Sequence, residues 1–132
     1  MKIETTILKN LLQNEEYARK VLPFLNDEYF TENSDKIVFN QINNFILKYN
    51  SLPNKEALTI ELSDAKITEE DFKDSANLVT AISEDIQEFA DLTWLLDSTE
   101  KFCQDKAIYN AVVDSISILD NPKSITDKGA IP

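Results

Sequence analysis

Apolar residues recur at intervals of three and four along most of the chain, the period that lays them on one face of an α-helix. Ile3, Ile7, Leu8, Leu11 and Leu12 begin the pattern and predict a first helix over 3–13. Asn14 can cap a short second helix over 15–22: Glu15 and Glu16 sit where the helix dipole favours negative charge, Tyr17, Val21 and Leu22 face inward, and Pro23 ends it. Asp27 is placed to cap a single turn carrying Tyr29 and Phe30, and Asn33 or Ser34 to cap a longer helix that reaches Tyr49. Ile37, Val38, Phe39, Ile42, Phe45, Ile46 and Tyr49 give that helix a broad apolar face, and the gathering of aromatics makes it the expected centre of the core.

Asn50, Ser51 and Pro53 interrupt the period, and Asn54 can cap a helix over 55–62 before Ser63 and Asp64 turn the chain. Thr68 and Asp71 have the spacing of a capping box and start a helix through Phe72, Ala76, Val79 and Ile82. Its join to the next element, over 83–90, is ambiguous: Ile86 and Phe89 keep the period amid several acids. From Asp91 the pattern becomes one long helix to about Asp120, stopped by Asn121 and Pro122. At 1.5 Å per residue it is roughly 45 Å long, more than the width of a head of about 90 residues, so part of it is expected to project. Leu92, Leu95, Leu96, Phe102, Cys103, Ile108, Tyr109, Val112, Val113, Ile116 and Leu119 cover more than one stripe, above all after Ala107. A helix apolar on two sides needs two things to pack against.

The expected organisation is all-α: a compact multi-helix head over 1–90, a long helix over 91–120 acting as an oligomerisation arm, and a linker over 121–132. The tail over 123–132 loses the period. Pro132 reads as the first residue of another helix, with Gly129 in the turn before it, so the chain is expected to be a piece cut from a longer one.

Composition removes many functions. The 132 residues allow one domain but not a core plus a nucleotide-hydrolysing domain. Gly129 is the single glycine, too few for a phosphate-binding loop or a dinucleotide fingerprint. Without histidine, and with Cys103 as the only cysteine, neither a Ser-His-Asp or Cys-His site nor a zinc site of the usual kind can be built. Acidic pairs on short helices do not set two carboxylates across a pocket as a glycosidase requires. No apolar run approaches the roughly 18 residues of a membrane span, and no basic stretch leads into an apolar one as in a secretory signal. A soluble protein of the cytoplasm is expected. The net charge of -11 repels phosphate, so direct nucleic-acid binding is not expected and partners should be proteins.

Some residues admit two readings. Glu69, Glu70, Asp71 and Asp74 lack the alternating acids and central glycine of a calcium loop and read as a dipole-favouring helix start. Glu84, Asp85 and Glu88 form either a docking strip for a basic partner or, more commonly, a solvated face. Cys103, with no histidine to activate it, reads as a small buried hydrophobe. Trp94 is either an interface anchor or packed against the head. The candidate oligomer or partner interface is Trp94, Leu95, Phe102, Ile108, Tyr109, Val112, Val113, Ile116 and Leu119; no catalytic, cofactor-binding or metal-binding residue is expected.

The string Leu11-Leu12, Tyr17, Val21, Leu25, Tyr29-Phe30, Ile37, Phe39, Ile42, Phe45, Leu52-Pro53 resembles the N-terminal head of DnaB-type replicative helicases, in particular the T-even phage branch, and the likeness extends through the long helix to the tail. Many bacterial members carry a His-Arg pair where this chain has Asp35-Lys36, which sets aside subunit contacts made through that pair. The resemblance implies a collar above a ring of six motor domains, on which primase docks. It makes 91–120 the first arm of a helical hairpin and implies self-association as a dimer or ring, with primase and a helicase loader as partners. ATP and magnesium would then belong to an absent motor domain, and six acidic copies would keep DNA off the collar. The alternative is a freestanding acidic regulator that binds a basic protein, which predicts a stable monomer with no apolar groove.

Overall fold

Asn14 makes the first corner. In the computed structural model, which describes residues 2–85 and 91–119 with side chains as far as 117, α1 (Ile3–Gln13) and α2 (Glu15–Val21) are separated by this one extended residue. Its backbone N–H donates to Asn10 O at 2.8 Å, and its side chain accepts the Tyr17 N–H at 3.1 Å. One residue therefore closes one helix and opens the next. Pro23 follows in a 3-10 turn, Leu22–Phe24, which takes Leu22 out of α2.

The second 3-10 turn, Asp27–Tyr29, corrects the sequence reading. Asn26, not Asp27, caps it by accepting the Glu28 N–H at 3.0 Å. Asp27 instead accepts from the Asn40 amide at 3.1 Å and ties the turn to α3 (Asn33–Tyr49). Neither Asn33 nor Ser34 caps α3; Glu32 stands at that position without a side-chain cap. The other end of α3 is well closed. Asn50 adopts the left-handed conformation at φ 54°, which asparagine tolerates better than most residues, and Arg19 of α2 donates to both its carbonyl and its side-chain oxygen at 3.0 Å. Asn54 caps α4 (Lys55–Asp64) and Thr68 caps α5 (Glu69–Glu84) as their spacing predicts, accepting from Ala57 N–H at 2.7 Å and Asp71 N–H at 3.1 Å. α4 runs to Asp64 and not Leu62. The last element is α6 (Leu92–Leu119), whose first turn is closed by Asp91 accepting the Trp94 N–H at 3.1 Å.

These helices pack into a single core, and all of the described regular structure is helical. α3 touches α1, α4, α5 and the second 3-10 turn, as its broad apolar face leads one to expect, and α1 joins it at the centre by touching α2, α3, α5 and α6. α1 buries polar residues as well as apolar ones: Lys9 and Asn10 lie inside with Ile7, Leu8, Leu11 and Leu12. α3 contributes Val38, Phe39, Ile42 and Ile46, while Phe45 is half-buried and Tyr49 exposed. Leu58 and Leu62 of α4 and Val79 and Ile82 of α5 complete the head.

Two buried contacts hold the first half of α6 on this head. The Tyr17 and Thr99 hydroxyls share a hydrogen bond at 2.6 Å across 82 residues of sequence. Phe30 stacks at a tilt on Phe39 at 5.2 Å and on Phe102 at 5.7 Å, bridging α3 to α6. At the end of α5, Lys9 pairs with Asp85 at 3.2 Å, and the Gln13 amide donates to Ile82 O at 2.6 Å. Residues 86–90 lie outside the described residues, and the expected roles of Ile86 and Phe89 with them.

Burial pushes the Tyr17 phenol up to about 12 from 10.0, against the smaller opposing effect of its bond to Thr99. A pKa raised in the folded state gives stability that is full below the unfolded value and is lost as pH climbs through the folded one. Denaturant unfolding should therefore show a loss of stability between about pH 10 and about pH 12 that Tyr17→Phe reduces. At neutral pH the same substitution should cost about 1–2 kcal/mol, because it strands the Thr99 hydroxyl in the core.

Candidate functional site

α6 changes surroundings along its length. Leu92, Leu95, Leu96, Thr99, Phe102 and Cys103 recur at three and four residues and meet the head. Beyond Cys103 the head supplies two more ties: Lys106 donates to the Thr31 hydroxyl at 3.4 Å, and Asn110 donates to Glu28 O at 3.2 Å. The remaining side chains to Ser117 are exposed. Among them, Ile108 (65% exposed), Tyr109 (62%), Val112 (51%), Val113 (43%) and Ile116 (52%) fall on one face, turned about a third of the way round the helix from the face that meets the head. Lys106 lies over the rings of Phe102 and Tyr109, at 5.9 Å and 5.8 Å from their centroids, and edges this stripe with a cation.

The structure thus brings together Ile108, Tyr109, Val112, Val113 and Ile116 and separates them from the other candidate interface residues. Leu95 and Phe102 are a correction: they are 0% and 6% exposed, with their apolar surface already used on the head. They share the helical period of the stripe but lie on the side that Tyr17 and Phe30 fix against the core. Trp94 is 53% exposed and not packed into the head; it lies on the side of the stripe but about four turns before it. The side chain of Leu119 lies outside those described.

The opposite side of α6 holds a feature that the sequence reading did not mark. A groove of about 600 Å³ opens between α2, its 3-10 turn and α6, lined by Val21, Phe24, Tyr29, Leu96, Cys103 and Ala107 among others. Phe24 stands on its lip, 72% exposed. An aromatic directly after Pro23, in a turn with no helical partner, was the available signal. The groove itself joins two segments far apart in sequence, one ending at Tyr29 and the other beginning at Leu96, and leaves no local pattern. Cys103, expected in the core, is half-buried on its wall, and burial pushes the thiol up.

The acidic groups divide. Glu84 pairs with Lys55 at 3.1 Å and Asp85 with Lys9, so two members of the suspected docking strip are engaged within the chain; Glu88 lies outside the described residues. Glu69, Glu70 and Asp71 occupy the first turn of α5, where the dipole favours them. Asp35 is buried at 6% exposure, and its carboxyl is raised by burial first and then by Glu4 and Glu32, against Lys2. Its side chain is thus enclosed by its own chain. Among the described residues no helix is long and apolar enough to cross a membrane.

No family model matches the chain. Over 96% of its length it is 31% identical to a protein described as a DnaB-like replicative helicase of Enterobacteria phage T4, and it spans 28% of that protein. This is the family that the Leu11-Leu12, Tyr29-Phe30 and Leu52-Pro53 pattern resembles.

The division of α6 is measurable by urea unfolding. Leu95→Ala should cost about 2–5 kcal/mol and Phe102→Ala about 3–5 kcal/mol. Ile108→Ala and Val112→Ala should stay within about 0.5 kcal/mol, as for exposed positions generally.

Proposed function

We propose that this chain is the N-terminal, motor-less part of a DnaB-type replicative helicase, and that it serves as the collar that assembles the subunits. The carrying observation is the apolar stripe Ile108, Tyr109, Val112, Val113 and Ile116, exposed on a helix that outruns its own head. Contiguous exposed apolar surface of this kind marks an interaction site, and a self-complementary helix face is a simple route to a symmetric dimer from which a ring can grow. The similarity supports the parentage, since almost all of this chain aligns with about a quarter of a replicative helicase.

On this reading DNA unwinding, ATP and magnesium belong to a motor domain that a chain with one glycine does not contain. The collar takes part in DNA replication in the host cytoplasm as the docking place of primase and of a helicase loader. Its net charge of -11 per copy keeps phosphate away from the assembly face. The stripe also favours this reading over a freestanding acidic regulator, which has no use for an uncovered apolar arm.

Light scattering over a range of concentrations tests the assembly. The chain should show a mass above 15.1 kDa that rises with concentration, and Val112→Asp and Ile116→Asp should return it to the monomer with unchanged circular dichroism. A monomer at millimolar concentration overturns the collar. The parentage has its own check: the gene read beyond residue 132 should encode a Gly-x-x-x-x-Gly-Lys-Ser/Thr loop.

A further inference from the structure

The groove between α2 and α6 has mainly apolar walls, and most of the polar groups that line it already have partners. The Thr99 hydroxyl is taken by Tyr17, Glu100 accepts from the Gln104 amide at 3.3 Å, and Lys20 lies 3.7 Å from Glu16. Small-molecule sites depend on a few convergent polar groups, and of those lining this groove Thr99, Glu100, Gln104 and Lys20 are engaged within the chain. What remains is apolar surface with the exposed Phe24 ring on its lip, the character of a site for a helix face.

Charge then selects the helix. Along α6 the flank of the groove continues as Asp97, Glu100, Gln104, Ala107, Ala111 and Asp114, one line at alternating spacings of three and four. It carries three acids and no base. The two cations of α6 lie elsewhere: Lys106 is turned to Thr31 and the Phe102 and Tyr109 rings, and Lys101 lines a separate hollow with Ile3 and Glu4. Ala107 and Ala111, both exposed, leave room for a second backbone to come close. A second copy of this chain is a poor occupant, because it would bring another net charge of -11 to an acidic flank.

We infer that this groove docks a basic amphipathic helix of a different protein, whose apolar face covers Val21, Phe24 and Leu96 and whose lysines or arginines meet Asp97, Glu100 and Asp114. The site lies on the side of α6 away from the apolar stripe, so it can be filled while the stripe is engaged. It stands whether or not the collar assignment does.

Cys103 gives the test a direct readout, since it is the one cysteine and it lies on the groove wall. The probe is a helical peptide of leucine, lysine and alanine with leucines on one face; the comparison is the same peptide with glutamate in place of lysine. Saturating lysine peptide should slow modification of the thiol by a disulfide reagent about tenfold, an effect weakened by salt, and the glutamate peptide should not. Glu100→Lys and Ala107→Arg, at exposed positions, should each weaken binding of the lysine peptide about tenfold, while Val112→Asp leaves it unchanged; circular dichroism checks that each variant is folded. Equal protection by both peptides, no protection by either, or protection that survives Ala107→Arg overturns the inference. So does a thiol that becomes fast on removal of residues 120–132 alone, which would make the chain's own tail the occupant.

Discussion

The register of α6 against the head governs what the rest of the molecule can present. An α-helix turns about 100° per residue, so sliding this helix by a single position would carry its outer stripe a quarter turn and more around the axis. The Tyr17 to Thr99 hydrogen bond prevents that. At 2.6 Å between two hydroxyls in an apolar setting, it has no alternative partner that would not strand a buried polar group. The Phe30 ring, seated on both Phe39 and Phe102, blocks the same slide sterically. With these contacts set, one face of α6 is consumed, and the faces bearing Val112 and Ala107 point where they do.

A second constraint is length. The 28 residues of α6 make a rod of roughly 42 Å, and its head contacts are confined to its first two thirds, ending with the tie of Asn110 to Glu28. From Ala111 to Ser117 the side chains of α6 are exposed among the described residues. Apolar surface left exposed among the described residues, as on this arm, is a standing cost in water, and covering it is favourable.

Electrostatics sorts the two surfaces. The stripe of Ile108 to Ile116 has Lys106 at its edge. The α6 flank of the groove carries Asp97, Glu100 and Asp114 and no base, while the cation on the groove wall, Lys20, belongs to α2 and lies near Glu16. Acids elsewhere are engaged locally: Glu15 with Arg19, Glu84 with Lys55, Asp85 with Lys9. The exposed pairs among these, Glu15 with Arg19 and Glu84 with Lys55, add little stability, but together with the largely buried pair of Asp85 and Lys9 they engage Glu84 and Asp85 within the chain.

The sequence determined whatever depends on neighbours within one helical turn. Asn14, Asn54 and Thr68 are caps because each precedes a run of helix formers and its side chain reaches a backbone N–H two or three residues on; the span of α1 and the great length of α6 follow from apolar period and breakers alone. Where two capping residues stand side by side, as at Asn26 and Asp27, the local rule cannot choose, and the bond from Asn40 on another helix chose. Periodicity could show that α6 is apolar on more than one side but not which side the head would take, since Phe102 and Val112 look alike in one dimension. Tertiary contacts across 82 residues made Leu95 and Phe102 core, left Ile108 and Val112 outside and opened the groove beside Phe24. Burial is a property of what comes near in space, and no spacing along the chain encodes it.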